Sequence, residues 1–179
     1  MKKQRDNYTF LTHAPVHRVI VSMAVPTIIS MLVTSIYGMV DTYYVGQINT
    51  QSTAAVGISF SIMTIIQAIG FFFGHGSGNY ISRMLGAKRT DEAKYMAATG
   101  LVGSVAFGLA VAVVGLAFLS DICIFLGSTE TILPYTERYL GIILVGAPFM
   151  TGAFTLNNQM RFQGNAKYAM YGILSGVVL

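Results

Sequence analysis

Asp41 is a carboxylate near the end of a long apolar segment, where a charged group needs an explanation. From Val19 to Val40 the chain has no charged residue, and a helix of about 20 residues crosses a hydrocarbon core. A carboxylate inside a bilayer is costly, so we expect a functional role for it. Apolar surroundings favour its protonated form, and a hard cation such as Na⁺ would compete for the same oxygens. Asp41 is therefore a candidate proton or Na⁺ ligand, with a solvated interfacial carboxylate as the structural alternative.

Three further polar residues precede Asp41 at helical spacing. Tyr37 lies one turn before it, and Thr34 and Ser30 lie two and three turns before it. Residues at these spacings share one face of an α-helix. The pattern predicts a polar stripe that faces a cavity.

Two prolines interrupt the predicted helices. Pro26 lies in the same segment as Asp41, and Pro148 lies in a later apolar segment. A proline inside a helix removes one backbone hydrogen bond and predicts a bend. The bend is either a static feature or the flexible point that alternating access requires.

The second apolar segment carries polar residues and regularly spaced glycines. Gly70-x-x-x-Gly74 predicts close helix packing, and Gly172-x-x-x-Gly176 near the end of the chain predicts the same. His75 is either a proton relay or, as we prefer, a histidine bonded to a neighbouring helix.

Asn157 and Asn158 lie near the end of the fourth apolar segment. Consecutive amides at this position either sit at the interface or, if the helix continues to Arg161, face inward and bind a substrate through hydrogen bonds.

The composition predicts an all-α integral membrane protein, a polytopic helix bundle. Hydrophobic residues make up 54% of the chain and charged residues 10%, against about 25% charged in soluble domains. A polar lead is followed by the spans, with a turn at 46–50 and a short helix around Ile122–Leu126. The predicted segments are 1–18 for the lead and 19–44, 53–81, 95–119, 137–160 and 168–179 for the spans, the last cut off by the end of the chain.

The basic residues of the loops predict the orientation. The lead and the loops 82–94 and 161–167 hold all lysines and arginines except Arg138, and short basic loops face the cytoplasm. The N-terminus is therefore expected in the cytoplasm. These loops also account for the net charge of +4 without a nucleic-acid partner.

The motifs of common enzymes are absent from the sequence. There is no Walker pattern, no G-x-S-x-G and no C-x-x-C, so neither nucleotide hydrolysis nor nucleophilic catalysis is indicated. We expect no enzymatic activity and no cofactor.

Three segments together resemble the multidrug and toxic compound extrusion (MATE) transporters. One is the P-x₁₄-D-x₄-G arrangement of Pro26, Asp41 and Gly46. Another is the loop G-x-x-x-S-R-x-L-G-A that begins at Gly78, and the third is NNQMRFQGNAKYAM, which begins at Asn157. The resemblance covers essentially the whole chain. It is closer to the bacterial branch that includes DinF-like proteins and the staphylococcal multidrug exporters than to the eukaryotic one.

The resemblance implies a twelve-helix fold of two six-helix lobes around a central cavity. This chain would supply about four and a half helices of the N-terminal lobe, and the C-terminal half would be missing from it. The implied activity is antiport in the bacterial plasma (inner) membrane, in which Na⁺ or H⁺ enters as cationic or amphipathic drugs leave.

The resemblance also implies roles for individual residues. Asp41 matches the acidic residue of the first span that takes part in ion coupling, and Pro26 matches the bend of the first helix. Tyr37 and Asn157 match cavity-lining positions. Further candidates for the cavity wall are Thr34, Gln67 and Asn158.

Two other functions stay open. A lipid or lipid-linked oligosaccharide flippase of related architecture would have a more basic cavity. Spans one to four have no interior Lys or Arg, which favours cationic substrates. A non-transporting membrane scaffold would tolerate Asp41→Asn, whereas an antiporter would not.

Overall fold

The computed structural model describes Phe10 and residues 13–178, and that part of the chain folds into a bundle of helices. Four of them are long and apolar enough to cross a membrane: Val16–Ile48, Thr50–Gly86, Thr90–Ala117 and Leu133–Phe162. The predicted all-α multi-pass architecture is therefore confirmed. Most of the predicted lead 1–18 lies outside the described residues, as does Leu179. The helices are α1 Val16–Ile48, α2 Thr50–Gly86, α3 Thr90–Ala117, α4 Leu119–Phe125, α5 Leu133–Phe162 and α6 Ala166–Val178.

A single residue connects α1 and α2, although the sequence predicted a turn over 46–50. The helix continues to Ile48, and Asn49 alone takes an extended conformation. Its Oδ1 accepts a hydrogen bond from Ser52 N at 2.6 Å, so the side chain that ends α1 also caps α2. Gly46 did not end the helix because a single glycine costs only about 1 kcal/mol within one.

The remaining connections are short. The predicted connector helix is confirmed as α4, and α3 begins at Thr90 with two acidic residues in its first turn. Gly164, at φ 78°, adopts the left-handed conformation in the turn between α5 and α6. The end of the bundle that carries Arg83, Lys88 and Arg161 is called the basic end below, and the opposite end, near Asn49, the far end.

The core is a triplet of helices, α2, α3 and α5, which pack chiefly against one another. Their close approach depends on glycines. A Cβ built on Gly70 would come within 2.6 Å of Phe154 Cβ, and one on Gly74 within 2.8 Å of Asn158 Cβ. Real Cβ atoms do not approach so closely, so the predicted packing role of this glycine pair is confirmed.

Buried hydroxyls join the three helices at mid-height. Thr155 Oγ1 of α5 donates to Ser104 Oγ of α3 at 2.7 Å and lies 3.2 Å from Gly70 O of α2. Thr151 Oγ1 lies 3.0 Å from Ser104 O. Because lipid supplies no partner for a polar group, such contacts hold apolar helices in register.

α1 lies at the side of this triplet. It packs mainly against α6 and less against α2, and only Pro26 and Ser30 on it are buried. The predicted packing of Gly172 and Gly176 is not found, because the described chain places no atom within 4 Å of a Cβ at either position.

Candidate functional site

Asp41 lines a cavity at the far end, between α1, α2 and α5. The cavity is open on one side and has a volume of about 540 Å³, and Asp41 is exposed in it. Asp41 is the charged side chain among the residues that line it. The other lining residues are Ser35, Gly38, Met39 and Thr42 of α1, Val56, Phe60 and Met63 of α2, and Tyr139 of α5.

Tyr139 is a member of this site that sequence reasoning missed. It lies in the first turns of α5, and both Asp41 and Tyr37 are within electrostatic range of its phenol. Asp41 and Tyr139 line the cavity together, whereas Tyr37 is not among its lining residues, and its predicted place in a larger central cavity stays a prediction. The predicted topology did point to Tyr139, because antiparallel spans place the start of α5 at the same depth in the membrane as the end of α1.

Two residues of the predicted polar stripe, Ser30 and Thr34, form hydrogen bonds with backbone carbonyls of α1 itself. Ser30 Oγ donates to Pro26 O at 2.7 Å, and Thr34 Oγ1 donates to Ser30 O at 2.9 Å. Thr34 does not line the cavity with Asp41. The helix continues through Pro26 without a break, and the bend there stays a prediction.

Pro148 lies inside α5, which is likewise continuous. A Cβ on Gly108 of α3 would come within 2.8 Å of Pro148 Cα. This proline is therefore held in the contact between α3 and α5.

Asn157 and Asn158 lie at the basic end and do not reach the Asp41 cavity. Along α5, eighteen residues separate Asn157 from Tyr139, about 27 Å at 1.5 Å per residue. Asn157 Nδ2 donates to Ala169 O of α6 at 3.0 Å. Asn158 is buried, and its Nδ2 donates to Phe154 O of its own helix at 2.8 Å. Their predicted part in a larger central cavity stays a prediction.

Gln67 and His75 lie on the exposed side of α2. The preferred prediction for His75, a bond to a neighbouring helix, is wrong. Its Nδ1 instead lies 2.9 Å from Phe71 O of its own helix. Neither residue lines the cavity with Asp41.

The donor set around Asp41 suits a proton or a small hard cation. A carboxylate with nearby hydroxyls is the kind of oxygen site that such ions prefer. Thr42 Oγ1 donates to Gly38 O at 2.8 Å, which leaves its lone pairs available. Within the part of the chain that the structure describes, no three His, Cys, Asp or Glu side chains gather as a transition-metal site would require.

A second cavity, of about 300 Å³, lies between α2, α3, α4 and α5. Its lining is apolar throughout, with Phe107, Val111 and Leu144 among the residues. It offers no polar contact to an ion and stands apart from Asp41.

Comparison with known proteins identifies relatives of this chain. A family model described as MatE matches residues 26–179. The multidrug export protein MepA of Staphylococcus aureus (strain MRSA252) is 34% identical over 126 residues, which cover 70% of this chain and 28% of the relative. MepA of Staphylococcus haemolyticus (strain JCSC1435) is 35% identical over 124 residues, 69% and 27% of the two chains. The chain thus spans less than a third of the length of these relatives.

Solved MATE structures share this arrangement of helices. A MATE mutant matches with a TM-score of 0.90 and 25% identity over 97% of this chain and 39% of that one. The outward-facing conformation of a multidrug resistance MATE family transporter matches with a TM-score of 0.85 and 26% identity, over 90% and 36% of the two chains. Sequence and fold agree, and the chain belongs to the MATE family of transporters.

Proposed function

We propose that this chain forms the first part of a secondary multidrug antiporter, which exchanges Na⁺ or H⁺ for cationic and amphipathic drugs by alternating access. The observation that carries the proposal is the Asp41 carboxylate in a cavity between apolar spans. The relatives named multidrug export proteins support the substrate class. Since the chain covers 28% of such a relative, further helices outside these 179 residues would complete the transporter.

The basic end would face the cytoplasm of a bacterial cell. Short loops rich in Lys and Arg stay on the cytoplasmic side of the plasma membrane, and Arg83, Lys88 and Arg161 lie at that end. Asp41 then belongs to the outer half of the membrane, where an ion that enters from outside reaches it first.

The ion would act by neutralising Asp41. Binding of a proton or Na⁺ removes the negative charge that attracts a cationic drug, so the two compete for the same part of the protein. Tyr139 and Thr42 offer hydroxyl groups in the same cavity as the carboxylate. An ion that binds one conformation more tightly than another shifts the protein toward it, and the ion gradient supplies the free energy for export.

The test uses the complete reading frame that contains this chain, expressed in a bacterium without its own drug exporters. Asp41→Asn keeps the shape of the side chain and removes its charge, and we expect it to abolish drug export at normal protein levels. Asp121→Asn, at an exposed position of α4, is the matched control and should export normally. Export that survives collapse of both the Na⁺ and proton gradients, or full activity of Asp41→Asn, would contradict the proposal. Full activity of Asp41→Asn would mean that the carboxylate takes no part in export, whereas a wild-type protein that exports no drug would favour a scaffold.

A further inference from the structure

Arg161 carries a buried nitrogen that has no partner. The side chain lies in the last turn of α5 and is half-buried. Its Nε is buried and makes no hydrogen bond within the part of the chain that the structure describes. Buried polar groups in proteins nearly always have a partner, and an exception often marks an ion or another group that binds there. The Arg161 guanidinium is therefore a candidate contact for an anion.

The carboxylates of the basic end are already in ion pairs. Among the described residues, the acidic side chains at this end are Asp91 and Glu92 in the first turn of α3. Asp91 lies 2.9 Å from Lys94 Nζ, and Glu92 lies 2.5 Å from a guanidinium nitrogen of Arg89. The described chain thus leaves Arg161 without an acidic partner of its own.

The side chain of Arg161 lies where α5 ends and α6 begins. Asn157 is one turn earlier on the same face of α5, and its Nδ2 donates to Ala169 O of α6 at 3.0 Å, so this face points to α6. The first turn of α6 has no acidic residue, and Lys167 adds an exposed positive charge there. The junction of α5 and α6 is therefore positive.

The depth of this junction indicates which anion it would meet. Arg161 follows an apolar span, and a long basic side chain at a helix end extends its charged group to the lipid headgroups. A guanidinium matches a phosphate group with two parallel hydrogen bonds, and basic pockets between spans on the cytoplasmic side bind the headgroups of anionic lipids. Further into the span, α6 exposes Tyr168 and Tyr171, which an acyl chain would contact.

We propose that Arg161 binds the phosphate group of an anionic phospholipid in the cytoplasmic leaflet, at the junction of α5 and α6. The guanidinium would donate to the phosphate oxygens, and Lys167 would add to the attraction for a headgroup with net negative charge. A zwitterionic lipid has the same phosphate, but its cationic group is repelled by both side chains. The inference rests on the orientation proposed above and adds a lipid partner to the transporter.

The experiment measures thermal unfolding of the purified protein of the complete reading frame in detergent micelles. The added probes are dioctanoyl phosphatidylglycerol, dioctanoyl phosphatidylcholine and inorganic phosphate, at equal ionic strength. The rise of the unfolding midpoint with probe concentration gives an apparent Kd, and each variant is compared with its own midpoint without probe. The variants are Arg161→Gln, Arg161→Lys and, as the control, Arg138→Gln at an exposed position of the far end.

Phosphatidylglycerol should raise the midpoint of the wild type and of Arg138→Gln at the same concentrations. Arg161→Gln should weaken its apparent affinity about tenfold, because a charge-assisted hydrogen bond is lost. Arg161→Lys should keep part of the affinity, since it retains the charge without the planar pair of donors. Phosphatidylcholine and inorganic phosphate should act only weakly.

Three results would overturn the inference. They are an unchanged affinity of Arg161→Gln for phosphatidylglycerol, equal effects of the two lipids, and an effect of inorganic phosphate as strong as that of phosphatidylglycerol. The third would identify a soluble phosphate as the ligand. Drug export by the same protein in cells is scored separately. A protein that exports drug without binding phosphatidylglycerol contradicts only this inference, and one that binds the lipid through Arg161 without exporting drug contradicts only the proposed function.

Discussion

Asp41 of α1 and Tyr139 of α5 line the same far-end cavity, although they belong to the first and the fourth span. The carboxylate is close enough to the phenol to act on it electrostatically. A phenol can donate a hydrogen bond to a carboxylate or offer its oxygen to a cation. A change in the charge of Asp41 would therefore act on Tyr139 directly.

Tyr139→Phe removes that hydroxyl and keeps the ring. We expect drug export to fall about threefold to tenfold, in line with the loss of one hydrogen bond to a charged partner, and less than with Asp41→Asn. Transport rates in cells at matched protein levels provide the measurement. Tyr135→Phe, one turn earlier and outside the cavity lining, is the control. Equal activity of both variants would show that the Tyr139 hydroxyl takes no part.

Gly74→Ala tests the close packing of α2 against α5. The new methyl group would meet Asn158 Cβ at 2.8 Å, and overpacking of this kind costs about 1–3 kcal/mol of unfolding free energy. The midpoint of thermal unfolding in detergent should therefore fall.

Gly76→Ala is the control for that substitution. It lies in the same helix with no atom within 4 Å of the new Cβ, and alanine is favoured over glycine in a helix by about 1 kcal/mol. Its stability should be unchanged or slightly higher. An equal loss of stability in both variants would mean that packing against Asn158 is not the cause.

Thr155→Val tests the buried hydroxyls at the centre of the triplet. It removes the donor to Ser104 Oγ, and we expect a loss of about 0.5–1.5 kcal/mol. Thr64→Val is the control, because Thr64 is exposed and its hydroxyl bonds only Phe60 O of its own helix. A double-mutant cycle with Ser104→Ala should give a coupling energy of similar size. Additive effects of the two substitutions would show that the bond contributes nothing.

Cys123 should resist alkylation. Burial and, to a smaller extent, the Glu137 carboxylate raise the pKa of its thiol, so little reactive thiolate forms at neutral pH. We expect iodoacetamide to label it at least about ten times more slowly than a cysteine at position 125 (Phe125→Cys in a Cys123→Ala background), since Phe125 is 89% exposed. Labelling at equal rates would mean that α4 opens readily.

The raised pKa of the Cys123 thiol also predicts how the free energy of unfolding changes with pH. The folded protein holds the thiol proton more tightly than the unfolded chain does. The free energy of unfolding is therefore unaffected below the ordinary pKa of a thiol and falls as the pH rises above it. The same pH series with Cys123→Ala should lack this contribution.

The sequence predicted the positions of the helices better than it predicted which residues contact one another. Charge-free runs gave the four long helices, and glycine spacing gave the contact of Gly70 and Gly74 with α5, because both signals are local. The break at Asn49 was placed too broadly, since a glycine at position 46 was taken to end the helix. The acceptor of His75 was also predicted wrongly, because a helix can supply a carbonyl one turn back as readily as a neighbour can.

The site was only half predictable. Asp41 follows from its chemistry within an apolar helix, whereas Tyr37, predicted from its spacing on that helix, is not among the residues that line the cavity. Tyr139 comes from another span, and the bond from Asn157 to Ala169 O depends on the turn at Gly164. The hydroxyls of Ser104 and Thr155 are unremarkable in sequence and meet only after three helices have packed. Such residues depend on tertiary structure, which residue spacing within one helix does not encode.

The single-residue connection at Asn49 determines how α1 can move. Two long helices joined by one residue cannot slide apart at that end, so a rigid tilt of α1 relative to α2 is a rotation about Asn49. At 1.5 Å per residue, Asp41 lies about 12 Å from this pivot and Val16 about 50 Å. A tilt of about 10° would then shift Asp41 by about 2 Å and the other end of the helix by about 9 Å. Asp41 thus lies close to the pivot of α1, so a small displacement at Asp41 corresponds to a larger displacement at the basic end.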